Sequence, residues 1–248
     1  MMNPDQSKTP DSAEGSVPAV VLGGFGLINE TLMRGKDWAY NERVQAGWRM
    51  WDPWPDGCLL HVSGPTPDGG LTQAVWRDEA AEFAYMSTIA IERFTGVIAE
   101  MVKEGFEPPA DVLPVNLELK YLAFGPLAER FVDIGADLDG AAGRQFGTVL
   151  TAVDLGLAAL SGEQLEELWR TVGLGESVPA DLIMRAAFVK DGESIETQIW
   201  ASDESAQRFV EAALKPAVAK IAGSGDAVSA TFREIKRLAI APTGLVDP

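Results

Sequence analysis

Two kinds of hydrophobic pattern alternate along this chain. Residues 58–63 and 71–76 are short runs rich in apolar and β-branched side chains, and Asp68-Gly69 between them is a favoured hairpin turn. Behind Trp76 an acidic stretch opens a segment with apolar residues at helical spacing, including Tyr85, and an apolar strand follows at 113–124. The same succession then returns. Residues 180–187 form a strand, Asp191-Gly192 a turn, 195–200 a strand ending on Trp200, an acidic helix start leads to Phe209, and 230–240 is the last strand.

The steps from Trp76 to Tyr85 and from Trp200 to Phe209 are both nine residues, which marks the two segments as copies of one unit. Upstream of each hairpin one more strand and one more helix are predicted: 19–26 and about 30–45 in the first copy, 147–155 and 162–172 in the second. The order is β-α-β-β-α-β twice, so the fold class is α+β with two tandem ferredoxin-like units. The units span 17–125 and 147–242, with a connection at 126–146 and tails at 1–16 and 243–248. The first tail, rich in Pro, Asp, Ser and Glu, reads as disordered and as neither signal peptide nor membrane anchor.

Charge narrows the partners. With 37 acidic against 20 basic side chains the 248-residue chain carries a formal charge of -17, which opposes nucleic acid and anionic membrane surfaces. The single cysteine, Cys58, excludes an internal disulfide, and a cytoplasmic location is the expectation. One cysteine and one histidine do not suffice for a structural zinc site. Gly23-Gly24-Phe25-Gly26 does not continue into a dinucleotide fingerprint, because Asn29 takes its last position, and reads as a strand end or bulge.

The His61-Val62-Ser63-Gly64-Pro65 stretch, the Asp-Gly hairpin and the tryptophan leading into an acidic helix start resemble the dimeric α/β barrel superfamily, in particular its antibiotic-biosynthesis-monooxygenase-like branch. The resemblance covers most of 17–242. It implies an intramolecular dimeric α/β barrel, with a ligand held between facing sheets or under each sheet. It also implies chemistry on small aromatic molecules: oxygenation of an anthrone-like polyketide without metal, in some relatives with reduced flavin (FADH2 or FMNH2) as a diffusible co-substrate. A polyketide cyclase or isomerase, and a non-catalytic binder of a small apolar ligand, are the alternatives. Fusion supplies the usual pairing as an internal pseudo-dimer and leaves a further homodimer open.

His61 is the candidate catalytic residue, since any scheme needing an imidazole must use it. Strand alternation sets Leu59, His61 and Ser63 against Cys58, Leu60 and Val62. The more apolar second set is expected on the helices and His61 in the space between the sheets. The alternative is a structural histidine. The aligned position in the second copy is Met184, followed by Arg185. Candidate substrate-binding residues are Trp48, Trp51 and Trp54, which crowd a stretch with no counterpart in the second copy, together with Trp76, Tyr121, Arg185 and Trp200. Trp76 and Trp200, shared by both copies, read first as framework, and Arg185 in an apolar strand needs a carboxylate or a ligand anion. One specialised site is expected in the first copy, with the second copy as its opposite wall.

Overall fold

The structure, a computed structural model, describes residues 20–22, 27–49, 54–109, 112–128, 150–157, 160–172, 179–190 and 193–241. Both tails, most of the 126–146 connection, Gly23 to Gly26, Trp51 and the Asp191-Gly192 turn lie outside the described residues.

The first unit runs β1 (Val20–Leu22), β2 (Leu27–Arg34), α1 (Trp38–Trp48), β3 (Cys58–Thr66), β4 (Gly69–Trp76), α2 (Glu79–Tyr85), a π-helical turn at Met86–Ala90, α3 (Ile91–Lys103) and β5 (Val112–Phe124). The second runs β6 (Leu150–Gly156), α4 (Gly162–Thr171), β7 (Leu182–Lys190), β8 (Glu193–Trp200), α5 (Asp203–Phe209), a π-helical turn at Val210–Leu214, α6 (Lys215–Ala222), β9 (Ser229–Ile235) and β10 (Arg237–Ile240). Each unit forms the same four-stranded antiparallel sheet, ordered β3-β4-β2-β5 and β7-β8-β6-β9. The sheets join where β5 pairs with β7, and the ring closes where β10, continuing β9 past Lys236, pairs with β3. Closure leaves neither sheet with a free edge at these seams.

The opening of the first unit differs from the reading above. Residues 30–34, expected in a helix, belong to β2, and the expected strand at 19–26 contributes only the short β1 beside β5. The polar Asn29, Glu30 and Thr31 hide the alternation. Glu30 points inward and accepts from Gln73 Nε2 at 3.2 Å, while Thr31 lies on the opposite, helix-covered face.

The duplication extends well beyond the hairpins. From β2 through the π-helical turn, residues of the second copy carry the number of their counterparts plus 124: the helix caps Asp37 and Ser161, the caps Asp78 and Ser202, and the starts of the π-helical turns, Met86 and Val210. The strand bulges also match, between Cys58 and Leu60 and between Leu182 and Met184. All four caps accept a hydrogen bond from the third residue onward, as N-cap Asp and Ser do.

Among the described residues, side chains of both sheets pack against each other in the space between them. Leu60, Val62, Val75, Leu117, Leu119, Leu122 and Phe124 from the first unit meet Met184, Ala186, Phe188, Ile199, Ile235, Leu238 and Ile240 from the second in one buried cluster. Toward one end a polar chain crosses between the units. Thr197 Oγ1 donates to Asp154 (2.6 Å), Arg233 Nε donates to Asp154 (2.8 Å), and Arg233 Nη2 donates to Gln73 Oε1 (2.6 Å). Among the described residues the facing sheets thus meet in apolar side chains and one polar chain. The more apolar strand face turned inward, because two sheets bury more apolar surface against each other than against helices crowded with polar groups.

Candidate active site

Register places His61 on the face opposite to the one expected. Directly opposed residues in antiparallel strands share a face. His61 is opposed by Ala74, which packs with Trp48, Trp76 and Tyr85 beneath the helices. Its neighbours Ser63 and Thr72 share that face, where Gln45 Nε2 of α1 donates to Thr72 Oγ1 at 2.7 Å. From the other unit, β10 places Ala239 beside His61 and Arg237 beside Ser63. The site region lies under the first unit's helices, with the second unit contributing its edge.

Burial, and secondarily the charge of Arg237, pull the His61 pKa down to about 3. The imidazole is neutral at neutral pH, and its conjugate acid is too strong for His61 to serve as an effective base there. Tyr85 moves the other way: burial pushes its phenol up to about 12, against the opposing effects of Arg93 and Trp48, so it stays a donor. Burial likewise pushes the Cys58 thiol up, away from the reactive thiolate.

The tryptophans occupy distinct places. Trp48 ends α1 instead of standing in a loop, and meets Phe94 edge-on at 6.0 Å. Trp54 is half-buried and donates from Nε1 to the Cys58 carbonyl at 2.7 Å. Trp76 is buried against Tyr85. The indole nitrogens of Trp48 and Trp76 and the Tyr85 hydroxyl are buried without a well-formed hydrogen bond, as are Ser63 Oγ, Gln45 Oε1, Asn41 Oδ1 and the Tyr40 hydroxyl. Trp48 and Tyr85 lie close enough for the indole to lower the Tyr85 pKa through a hydrogen bond, so this layer concentrates polar groups beneath the first unit's helices.

The two layers can be compared row by row. Across the sheet, Asn116, Asn29, Ala74 and His61 stand in one cross-strand row on β5, β2, β4 and β3. Three strand spacings make that row about 14 Å long. The second unit's equivalent row is Phe232, Val153, Gln198 and Arg185. Arg185, and not Met184, is thus the counterpart of His61, the correction arising because the matched bulges preserve the 124-residue displacement.

Arg185 is buried and paired. Its Nε donates to Glu196 at 2.7 Å, and its guanidinium lies 3.8 Å from the Trp169 ring centre and 4.5 Å from that of Tyr121. Gln198 Nε2 donates to Glu196 (2.6 Å) and Trp200 Nε1 donates to Gln198 (3.1 Å). Among the described residues this layer holds one unmet polar atom, Glu196 Oε2. The candidate residues thus divide: His61, Trp48, Trp54 and Trp76 gather in the first unit, while Tyr121, Arg185 and Trp200 belong to the closed layer of the second. Tyr121 turns outward because a bulge between Leu119 and Tyr121 shifts the phase of β5.

Two sheets closed by exchange of their edge contacts, each covered by its own helices, define the architecture. The chain has the dimeric α/β barrel fold. Two solved structures, from Lactobacillus acidophilus and Fusobacterium nucleatum and each named "putative monooxygenase", share this barrel with TM-scores of 0.59 and 0.58. They are 12 % and 10 % identical, cover 88 % of this chain and match 97 % and 95 % of their own lengths. An anthrone oxidase-like protein, 13 % identical over 89 % of this chain and 96 % of its own, is more distant at a TM-score of 0.47. No protein-family model matches the chain, nor does any curated protein.

Residues the sequence reading did not single out complete the barrel's candidate site: Gln45, Ser63, Thr72, Tyr85 and Arg237. Outside Trp48 an open groove of about 790 Å³ runs between α1 and α3, lined among others by Gly47, Ile89, Arg93 and Val97. Among the described residues no helix is long and apolar enough to cross a membrane, and no three His, Cys, Asp or Glu side chains gather as metal ligands.

Proposed function

We propose that the chain is a tailoring enzyme of secondary metabolism that oxygenates an electron-rich, anthrone-like aromatic at a single site under the first unit's helices. The observation that carries this reading is the contrast between the two layers. The first offers aromatic walls with indole and phenol groups on Trp48, Trp76 and Tyr85, whereas the second substitutes Val172 and Phe209 at the places of Trp48 and Tyr85 and closes around an ion pair.

In this reading a flat substrate lies along the Asn116-to-His61 row and stacks on the aromatic walls. Indole and phenol donors face the oxygen that becomes negative when the substrate loses its methylene proton, which favours the carbanion-enolate over the neutral ketone. Molecular oxygen adds at the ring carbon, and the resulting hydroperoxide loses water to leave a carbonyl. One oxygen atom of O2 enters the product and the other leaves as water. His61, neutral, serves as a hydrogen-bonding edge. The groove between α1 and α3 is the approach route.

The test is incubation with 1,8-dihydroxyanthrone, with and without added reduced flavin, following oxygen uptake and product mass. Uptake with a product gaining one oxygen and losing two hydrogens supports the reading, and dependence on added flavin assigns that co-substrate. A mass-neutral product would replace it with cyclase or isomerase chemistry. Tight binding without turnover would make the protein a binder.

A further inference from the structure

The proposed reaction needs a base, and His61 with its depressed pKa is a poor one. A buried carboxylate has no place in the framework so far. Glu82 on α2 is 6 % exposed, with Glu196 one of two buried acids among the described residues, and its counterpart in the second unit is Ala206. The position is therefore not one the fold itself requires to be acidic.

Its surroundings are specific. Glu82 stands three residues before Tyr85, on the same helix face, where both side chains are buried against the sheet. It hydrogen-bonds Asn116, which opens the cross-strand row that ends at His61. Between those ends lies Ala74, the small residue standing where the second unit has Gln198. Glu79 is the acidic neighbour acting on Glu82, and burial dominates the combined effect, holding its carboxyl above the ordinary glutamate range.

From this placement, which rests on the function proposed above, we propose that Glu82 is the general base that removes the methylene proton of the substrate lying over Ala74. The carbon-hydrogen bond breaks, its electron pair passes into the ring system toward the oxygen facing the indole and phenol donors, and the proton moves to the Glu82 carboxylate. After oxygen adds, that proton goes to the peroxide. That transfer restores the carboxylate; loss of the second methylene hydrogen as a proton, with cleavage of the oxygen-oxygen bond, then forms the carbonyl, and this proton joins the departing hydroxide as water.

Proton removal can be read without oxygen. The protein is incubated anaerobically in D2O with 1,8-dihydroxyanthrone, and deuterium entry at the methylene carbon is followed by proton NMR against the uncatalysed exchange. The full chain should accelerate exchange, and Glu82→Gln should lose at least about 100-fold of that acceleration while quenching of tryptophan fluorescence by the same probe stays within about threefold. Glu82→Ala, the second unit's residue, keeps the test open if the glutamine variant folds poorly, and melting curves of both report on folding. Equal exchange by folded Glu82→Gln and the parent overturns the proposal while leaving the oxygenase reading intact. Exchange lost with Glu82, but no oxygen uptake by the parent in air, supports the base and overturns the oxygenase reading. No exchange and no uptake by the parent overturns both.

Discussion

The ring of Tyr85 lies 5.5 Å from that of Trp76 with an interplanar angle of 35°, and its hydroxyl is buried without a well-formed hydrogen bond. The second unit keeps the ring geometry, with Phe209 at 5.0 Å and 37° from Trp200, and omits the hydroxyl. Packing thus accounts for the ring, and the oxygen of Tyr85 is extra to the framework. Tyr85→Phe should leave the melting temperature unchanged or slightly higher, since an unmet buried hydroxyl costs about 1–3 kcal/mol. Oxygen uptake with 1,8-dihydroxyanthrone should fall by about 10²-fold, the usual effect of losing one donor to a developing oxyanion. Full activity in this variant would remove Tyr85 from the site.

His61 sets a pH dependence of stability. Its folded pKa of about 3 lies below the ordinary value of 6.5, so the unfolded chain binds a proton that the native state refuses. Its contribution is complete above 6.5 and is lost as pH falls toward 3, at about 1.4 kcal/mol per pH unit. Urea midpoints between pH 7 and 4 should therefore fall more steeply for the parent than for His61→Gln. Parallel slopes would mean that His61 is readily protonated in the fold.

The Arg185–Glu196 pair closes the second layer, and removing one partner strands the other. Arg185→Met alone should cost about 3–5 kcal/mol, whereas Arg185→Met with Glu196→Leu should recover most of that. Burial already holds the Glu196 carboxyl above its usual range despite the adjacent guanidinium, which is why the lone carboxylate is expected to be so costly. A double variant no more stable than the single one would show that the pair is not coupled in this way.

Gly70 lets α1 approach β4. A Cβ there would stand 2.0 Å from Asn41 Cγ, and Asn41 is itself buried. Gly70→Ala should destabilise by about 1–3 kcal/mol through this overlap, and Asn41→Ala in the same chain should restore the loss. Thermal melts of the single and double variants decide the point.

Much of the framework was legible because the signals that define it are local. Asp68-Gly69 makes a tight turn in which Gly69, at φ 153°, passes so close to the Met33 carbonyl that a Cβ would clash with it. The two tryptophans and their nine-residue steps then identified a duplication that proves to hold over caps, bulges and π-helical turns alike. Less legible was anything that depends on which face of a strand is inside. In a closed barrel covered by helices both faces are buried, so the apolar Leu60 and Val62 and the polar His61 and Ser63 carry no sign of direction. β2 was misread for the same reason. The site itself draws Gln45 from α1, Thr72 from β4, Tyr85 and Glu82 from α2 and Arg237 from β10, and no single stretch of sequence displays such a set. Arg185 is instructive from the other side: its need for a carboxylate was visible, but Glu196 as the partner follows only from the hairpin.

The pairing of Leu60, His61 and Val62 with Ile240, Ala239 and Leu238 has a consequence for biosynthesis. A nascent chain that has just completed β5 holds two bare strand edges, β3 and β5, and the His61 row lacks one of its borders. Neither edge is satisfied until the second unit has emerged from the ribosome and delivered β7 to one and β10 to the other. The first half therefore spends the synthesis of the second with two unpaired strand edges, and β10 both covers one of them and completes the border of the layer around His61.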